Sequence, residues 1–308
     1  MAGHDKTKPF YPGASAVEQF GWLRAHRFLL LRRLCQAGVI GLFLLGPLAG
    51  IWIVKGNIAS SLTLEFLPLT DPYILLQSIF ARHWPEATGF IGAAIVLVFY
   101  LLVGGRAYCS WVCPINPVTD AAAWLRRRLR VTSKTSLHRN FRYWILGLTL
   151  VLGTATGMMM WEPVNPVTTV FRGLVFGMTT ATWLVLLAIF LFDTFLARRG
   201  WCGHLCPVGA FYSLPGLVSP VRVSAVQRDR CDNCMDCYAV CPEPQVISPA
   251  LKPKGSNDKG PMIVSPNCTN CGRCIDVCSK DVFAFRIRHP GHSPSHHQQP
   301  ATTTEVSS

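Results

Sequence analysis

Cys231-Asp-Asn-Cys234-Met-Asp-Cys237-Tyr-Ala-Val-Cys241-Pro242 decides how the last quarter of this chain folds. Cys268-Thr-Asn-Cys271-Gly-Arg-Cys274-Ile-Asp-Val-Cys278-Ser279 repeats its spacing. C-x2-C-x2-C-x3-C is the run of two-cluster iron–sulfur proteins, in which three thiolates hold one 4Fe-4S cluster and the fourth reaches the other. Three close thiolates wrap one face of a cubane, and the helix after the third carries the fourth away. This pairs Cys231, Cys234, Cys237 and Cys278 on one cluster, and Cys268, Cys271, Cys274 and Cys241 on the other. Zinc also takes four thiolates, but usually from two C-x2-C pairs. The spacing favours clusters, and a chain that moves electrons.

Toward the N-terminus the composition changes character. Half of the 308 residues are hydrophobic, 15% are charged, and the formal net charge is +13. A single soluble domain rarely combines these values, whereas a membrane protein with basic loops does. Four stretches are apolar enough to cross a hydrocarbon layer of roughly 30 Å: Leu34 to Val54, Thr88 to Val103, Tyr143 to Trp161 and Thr182 to Leu196. Basic residues crowd before the first (Arg24, Arg27, Arg32, Arg33), after the second (Arg126, Arg127, Arg128, Arg130) and after the fourth (Arg198, Arg199). Positive charge stays inside. Both termini and the cysteine-rich domain are therefore expected in the cytoplasm, with the chain a multi-pass protein of the bacterial inner membrane. The same distribution explains the arginines without any nucleic-acid partner. Arg32-Arg33 before an apolar stretch has the look of a twin-arginine signal. No small-residue cleavage site follows, and the stretch is long for a signal core, so an uncleaved first helix is expected.

A second motif also occurs twice. Arg106-Ala-Tyr-Cys109-Ser-Trp-Val-Cys113-Pro114 recurs as Arg199-Gly-Trp-Cys202-Gly-His-Leu-Cys206-Pro207, and Asp71-Pro72 and Asn165-Pro166 precede the two at nearly equal distances. Each unit reads as an outer-loop Asp/Asn-Pro, an amphipathic segment, a membrane helix and C-x3-C-P at the inner surface. Parallel repeats of this kind share an axis along the membrane normal, with function at their interface, which would bring the four thiols together. On a helix, positions i and i+4 share a face. Cys109, Cys113, Cys202 and Cys206 could then hold a metal, a further cluster or a redox-active dithiol; the bland alternative is four buried small hydrophobes. Cys35, alone in the first helix, reads as packing.

The expected fold is an α-helical integral membrane protein. A cytoplasmic arm (1–33) precedes four transmembrane helices built as two parallel repeats (34–218). An α+β ferredoxin-like domain for two 4Fe-4S clusters follows (219–288), with short strands at Gln245–Ser248 and Met262–Ser265. Lys252 to Gly260 reads as a mobile loop, and the His-rich tail (289–308) cannot build a core.

Four membrane helices, C-x3-C-P after the second and fourth, and a C-terminal two-cluster domain resemble the NapH family from the first helix to about Arg288. Its members are membrane quinol dehydrogenase components associated with periplasmic nitrate reductase. NosR, CcoG and the methylamine-related MauN are similar in layout. No stretch here matches the flavin-binding region of NosR or the added domain of CcoG, which turns the resemblance toward NapH. The second run departs from the pattern in ending Cys278-Ser279 and not Cys-Pro. The resemblance implies quinol as substrate, drawn from the membrane quinone pool, and a NapG-like iron–sulfur partner on the outer side. It also implies onward transfer to a periplasmic c-type cytochrome and nitrate reductase, by an oxidoreductase subunit rather than a complete enzyme. Quinol oxidation releases two protons, and Glu65, Asp71, His83, Glu86 and Glu162 are the outer-loop candidates to take them. For each, solvated loop charge is the competing explanation. Because the helices hold no pair of haem-ligating histidines, the electron path to an outer partner is left open. An assembly or maturation factor using the same cysteines is the alternative function.

Overall fold

The computed structural model describes residues 11–131, 138–252 and 260–288. Lys6, Lys8, Lys134, most of the loop expected at 252–260 and the tail after Arg288 lie outside the described residues. Two short helices, α1 (Ala14–Phe20) and α2 (Trp22–Ala25), lead into α3 (Arg27–Ala49). Among the described residues, α3 is the one helix both long and apolar enough to cross a membrane. It starts and stops earlier than the stretch 34–54. Arg32 and Arg33 can enter it because Asp120 meets their charges inside the protein, and Gly50, left-handed at φ 72°, closes it.

Val54 opens instead a three-stranded antiparallel sheet: β1 (Val54–Gly56), β2 (Ser60–Thr63) and β3 (Leu67–Thr70), paired in that order. Asp71 then caps α4 (Pro72–Phe80). Its carboxylate accepts the Tyr73 amide at 2.9 Å, and Pro72 takes the first helical position, where a missing N–H leaves nothing unpaired. After α5 (Ala87–Val103) the chain turns through Gly104-Gly105 into α6 (Ala107–Trp111) and α7 (Asn116–Arg128). A Cβ on Gly105 would run into the Tyr212 carbonyl, and one on Gly104 into the Asn270 side chain, so this turn tolerates only glycine.

The second half repeats the plan. α8 (Phe141–Thr156) is shorter than the stretch 143–161, because Gly157 turns left-handed at φ 71°. Asn165 caps α9 (Pro166–Phe176) by accepting the Val167 amide at 3.1 Å, again with proline at the first position. α10 (Thr180–Leu191) continues as a π-helical turn, Phe192–Leu196. A second π-turn, Trp201–Leu205, precedes α11 (Pro207–Phe211). Large apolar side chains point away from the protein on several of these helices: Leu48 is 72% exposed and Trp144 77%, and Leu184 and Phe176 are also exposed.

The C-terminal domain pairs β4 (Val221–Ser224) antiparallel to β5 (Ala284–Ile287) around α12 (Asp236–Val240), α13 (Ser248–Leu251) and α14 (Arg273–Asp276). The expected strands are corrected here. Residues 245–248 form a 3-10 turn and the start of α13, because Pro244 and Pro249 sit where a helix, not a ladder, accepts proline. Of 262–265 only Met262 bridges, to Ser224, while the Ile263 amide bonds the Val223 carbonyl at 2.9 Å. Val223, Val246, Ile247, Ile263, Val277 and Phe283 form the core of this domain. Its Asp276 carboxylate accepts the Phe28 and Leu29 amides, both at 3.1 Å, which caps α3 with a charge of the favourable sign. The N-terminal arm and the cysteine-rich domain thus meet at one end of the helices.

Candidate functional site

The two cysteine loops share an unusual backbone. Asn233 (φ 58°) and Met235 (φ 67°) are left-handed in the first, Asn270 (φ 47°) and Gly272 (φ 71°) at the matching places in the second. Left-handed residues other than glycine are uncommon, and two per loop curl each segment back on itself. Cys231, Cys234, Cys237 and Cys278 line one cavity. Burial pushes the Cys237 thiol up to about 12, and Cys234, Cys278 and Cys231 add to the push. Burial raises Cys274 as well, seconded by Cys271, Cys241 and Cys268. Each of these two thiols therefore stands in the field of the three expected to share its cluster. Among the described residues no three His, Cys, Asp or Glu side chains close to the spacing of a single metal ion, so both sets are open frames.

The C-x3-C-P thiols form a second array. Cys109 lies in α6, but Cys113 falls beyond it, and the Cys113 and Cys206 amides reach back to Tyr108 (3.1 Å) and Trp201 (3.0 Å). The expectation that each pair rides one helix face is corrected accordingly. Cys206 is extended (φ −71°, ψ 113°) because a residue preceding proline is kept out of the helical region. The four thiols nevertheless converge. Burial first, then Asp193, Cys113, Cys206 and Cys109, raise Cys202; burial, then Cys109 and Cys206, raise Cys113. Burial and then Cys109 push Cys206 up to about 12. Burial also raises Cys109, although the Arg106 guanidinium draws it back.

A buried ion pair joins the two arrays. Arg106 Nη1 donates to Glu243 Oε1 and to the Asn267 carbonyl, both at 2.9 Å, and Nη2 donates to the Cys202 carbonyl at 3.1 Å. Glu243 directly follows Cys241-Pro242 and is 3% exposed. Burial works to raise its carboxyl, but Arg106, the Gln245 amide and Arg142 hold it below the usual range. In the second motif Arg199 pairs with Asp120, which also takes Arg32 and Arg33.

Above the thiols, the Tyr108 and Tyr212 rings stack at 4.8 Å, and the Tyr212 hydroxyl donates to Asp71 Oδ1 at 3.3 Å. Asp71, Asn165, Tyr108 and Thr168 line a small cavity between the repeats. Burial pushes the Asp71 carboxyl up to about 6. Of the five expected proton acceptors, the structure brings two together: Glu162 accepts from Asn165 Nδ2 (3.0 Å) and Thr168 Oγ1 (2.9 Å), and its charge reaches Asp71. Glu65 is exposed and paired with Lys55, and His83 and Glu86 are exposed. Glu243, Asp120 and the tyrosines escaped the sequence reading. The signal for Glu243 was an arginine in each C-x3-C-P motif with no carboxylate assigned to it.

Comparison with known proteins matches both halves of the chain to iron–sulfur families. The model described as a 4Fe-4S binding domain matches residues 87–132 and again 179–222, one match per repeat, and that of a 4Fe-4S dicluster domain matches 230–282. The ferredoxin-type protein NapH of Haemophilus influenzae is 49% identical over 91% of this chain and 96% of its own length. NapH of Escherichia coli is 47% identical over 90% and 95%. The methylamine utilization ferredoxin-type protein MauN of Paracoccus denitrificans is 54% identical over 89% and 95%. No solved structure matches the chain.

Proposed function

The chain belongs to the ferredoxin-type family of NapH and MauN, and from that premise we propose that it is the quinol-oxidising membrane subunit of an electron-transfer chain. It is an iron–sulfur protein with 4Fe-4S domains. In this reading it passes electrons through a NapG-like partner toward a periplasmic c-type cytochrome and nitrate reductase. Cys231, Cys234, Cys237 and Cys278 would hold one cluster and Cys268, Cys271, Cys274 and Cys241 the other. Open thiol frames in place of a single-ion site, with each sampled thiol surrounded by its expected set, suit these larger groups. When bound, the clusters supply one-electron acceptors. Cys109, Cys113, Cys202 and Cys206, each pair within a match to the 4Fe-4S binding domain model, would hold a further cluster or act as a redox-active dithiol. Asp71 and Glu162 would take the protons that quinol releases, with Tyr212 orienting the Asp71 carboxylate.

Four helices would cross the bacterial inner membrane, from the arm (1–33) through the repeat domain (34–218), with the cluster domain (219–288) in the cytoplasm. The outward-facing Leu48, Trp144, Leu184 and Phe176 support this, because a soluble helix turns such residues inward. The observation that carries the functional reading is the Arg106–Glu243 bridge between two converging thiol arrays. Anaerobic reduction of the purified protein by a quinol analogue, followed by EPR, tests it. Signals from two clusters appearing on quinol addition are expected; clusters that dithionite reduces and quinol never does would refute it. Iron per chain should fall in Cys109→Ser with Cys206→Ser if the second array holds metal, and reporters fused at either end should both read cytoplasmic.

A maturation role remains the second reading, favoured by MauN relatives as similar as the NapH ones. Silence toward quinol with the partner present, together with defective assembly of another enzyme in a deletion strain, would select it.

A further inference from the structure

One cationic enclosure takes no part in the electron-transfer reading given above. A cavity of about 660 Å³ opens between the N-terminal arm, the first turns of α3, α7 and the cysteine-rich domain. Arg32, Arg33, Arg127, Arg199 and Arg273 line it, against the single carboxylate of Asp120. Arg32, Arg33 and Arg199 already share that carboxylate. Arg273 is satisfied from outside the cavity by Asp276 at 2.8 Å.

Arg127 is left over: among the described residues its guanidinium makes no ion pair or hydrogen bond. Burial, seconded by Arg199 and Arg198, pushes its guanidinium down to about 10. Confining five guanidinium groups around one carboxylate is self-repulsive, and an anion with several acceptor oxygens relieves it, since guanidinium forks match phosphate geometry. Much of the remaining wall is apolar: Val17, Leu30, Pro117 and Trp124 lie on it, beside Tyr11 and His26, and Trp124 is 57% exposed. Cations at one side and hydrocarbon with an interfacial tryptophan at the other describe an amphiphile, not a small inorganic ion.

We propose that this cavity binds an anionic phospholipid, its phosphate on Arg33, Arg127 and Arg199 and its glycerol–acyl portion along Leu30, Pro117 and Trp124. Basic pockets beside membrane helices on the cytoplasmic side bind such headgroups, and the volume falls within the range of ligand sites. The lipid would tie the N-terminal arm, α7 and the cluster domain into one unit at the leaflet surface. The proposal rests on the membrane reading given above.

The test uses the full chain, purified in detergent and exchanged into nanodiscs of phosphatidylglycerol or phosphatidylcholine, with retained lipid counted by native mass spectrometry after delipidation. Phosphatidylglycerol should stay bound to the wild type and phosphatidylcholine should not. Arg127→Glu should lower occupancy roughly tenfold, while Arg130→Gln, outside the cavity, leaves it unchanged. Arg127→Gln should fall between them, which separates lost charge from lost fold; equal iron per chain in all variants supports that comparison. Retention indifferent to headgroup charge or to Arg127→Glu overturns the site. So does binding of inorganic phosphate alone to the delipidated protein with no lipid retained, which would make the ligand a soluble anion. Release of the protein from membranes by carbonate wash would instead remove the membrane reading itself, which distinguishes the two failures.

Discussion

The two repeats differ at three matched places in what they bind, and the first two differences concern charge. Asp71 in the first corresponds to Asn165 in the second. Both cap a helix through the same side-chain oxygen, at 2.9 and 3.1 Å, but one carries a buried acid and the other its neutral isostere. Arg106 reaches out to Glu243 of the cysteine-rich domain, whereas Arg199 turns back to Asp120 on α7. Trp111 donates to the Asn270 carbonyl at 3.1 Å, while His204, at the matching place, keeps a buried Nδ1 with no partner. One scaffold has thus been used twice, and the two copies grip the cysteine-rich domain differently: the first through the Arg106 and Trp111 side chains, the second through Arg198, which donates to the Tyr238, Ala239 and Cys241 carbonyls. The Arg199–Asp120 pair braces the two repeats against each other.

That contrast can be broken by exchanging its charges. The largest effect is expected for Glu243→Gln, which strands Arg106 and Arg142 in a buried site. Removing one member of a buried pair costs about 3–5 kcal/mol, to be read as a lowered melting temperature in detergent and faster proteolysis between the two domains. Asp120→Asn should cost somewhat less, about 3 kcal/mol, because the Asp120 side chain is 17% exposed against 4% for Glu243 and solvent screens part of the loss. It should leave the proteolysis pattern alone. A larger loss from Asp120→Asn would invert the assignment of roles.

Next come the caps. The fold raises the Asp71 carboxyl to about 6, so it favours the protonated form. Its stabilising contribution is whole below pH ~4 and is lost as pH rises through the folded value. Asp71→Asn should therefore stabilise at pH 8, by about 1–3 kcal/mol, and change little at pH ~4. Asn165→Asp should do the reverse. Melting curves at the two pH values check both, and a pH-independent response would show that the difference between the caps is not electrostatic. The smallest effect is expected for Trp111→Phe, which forfeits one hydrogen bond worth about 1 kcal/mol; His204→Phe, having no bond at Nδ1 to lose, should cost less than that in the same assay.

Most of the chemistry was legible because it is written in short-range spacing. The cysteine runs, the C-x3-C-P repeat and the Asp/Asn-Pro pair all depend on residues a few positions apart, and the repeat is matched independently by one family model at two places. What stayed hidden depends on distance along the chain. Glu243 meets Arg106 across 137 positions, and no local pattern announces that. Strands β4 and β5 were missed because their pairing closes the domain from its two ends, while the apolar runs chosen in their place are flanked by prolines, which read equally well as helix starts. Helix ends were set by left-handed Gly50 and Gly157, which a count of hydrophobic residues passes over. The second thiol of each C-x3-C-P motif left its helix for a reason already visible in the proline that follows it.

Asn270 carries a last consequence. Its amide donates to the Val103 carbonyl at 3.0 Å and to the Val221 carbonyl at 2.9 Å, so one side chain clamps the end of α5 to the second cysteine loop. A tethered redox domain samples many gaps, and its transfer rate then answers to solvent viscosity and linker length. A clamped one holds a constant gap. Any electron exchanged between the two thiol arrays would cross a span held by the Asn270–Val103 bond and the Arg106–Glu243 pair, at a rate governed by driving force rather than by encounter.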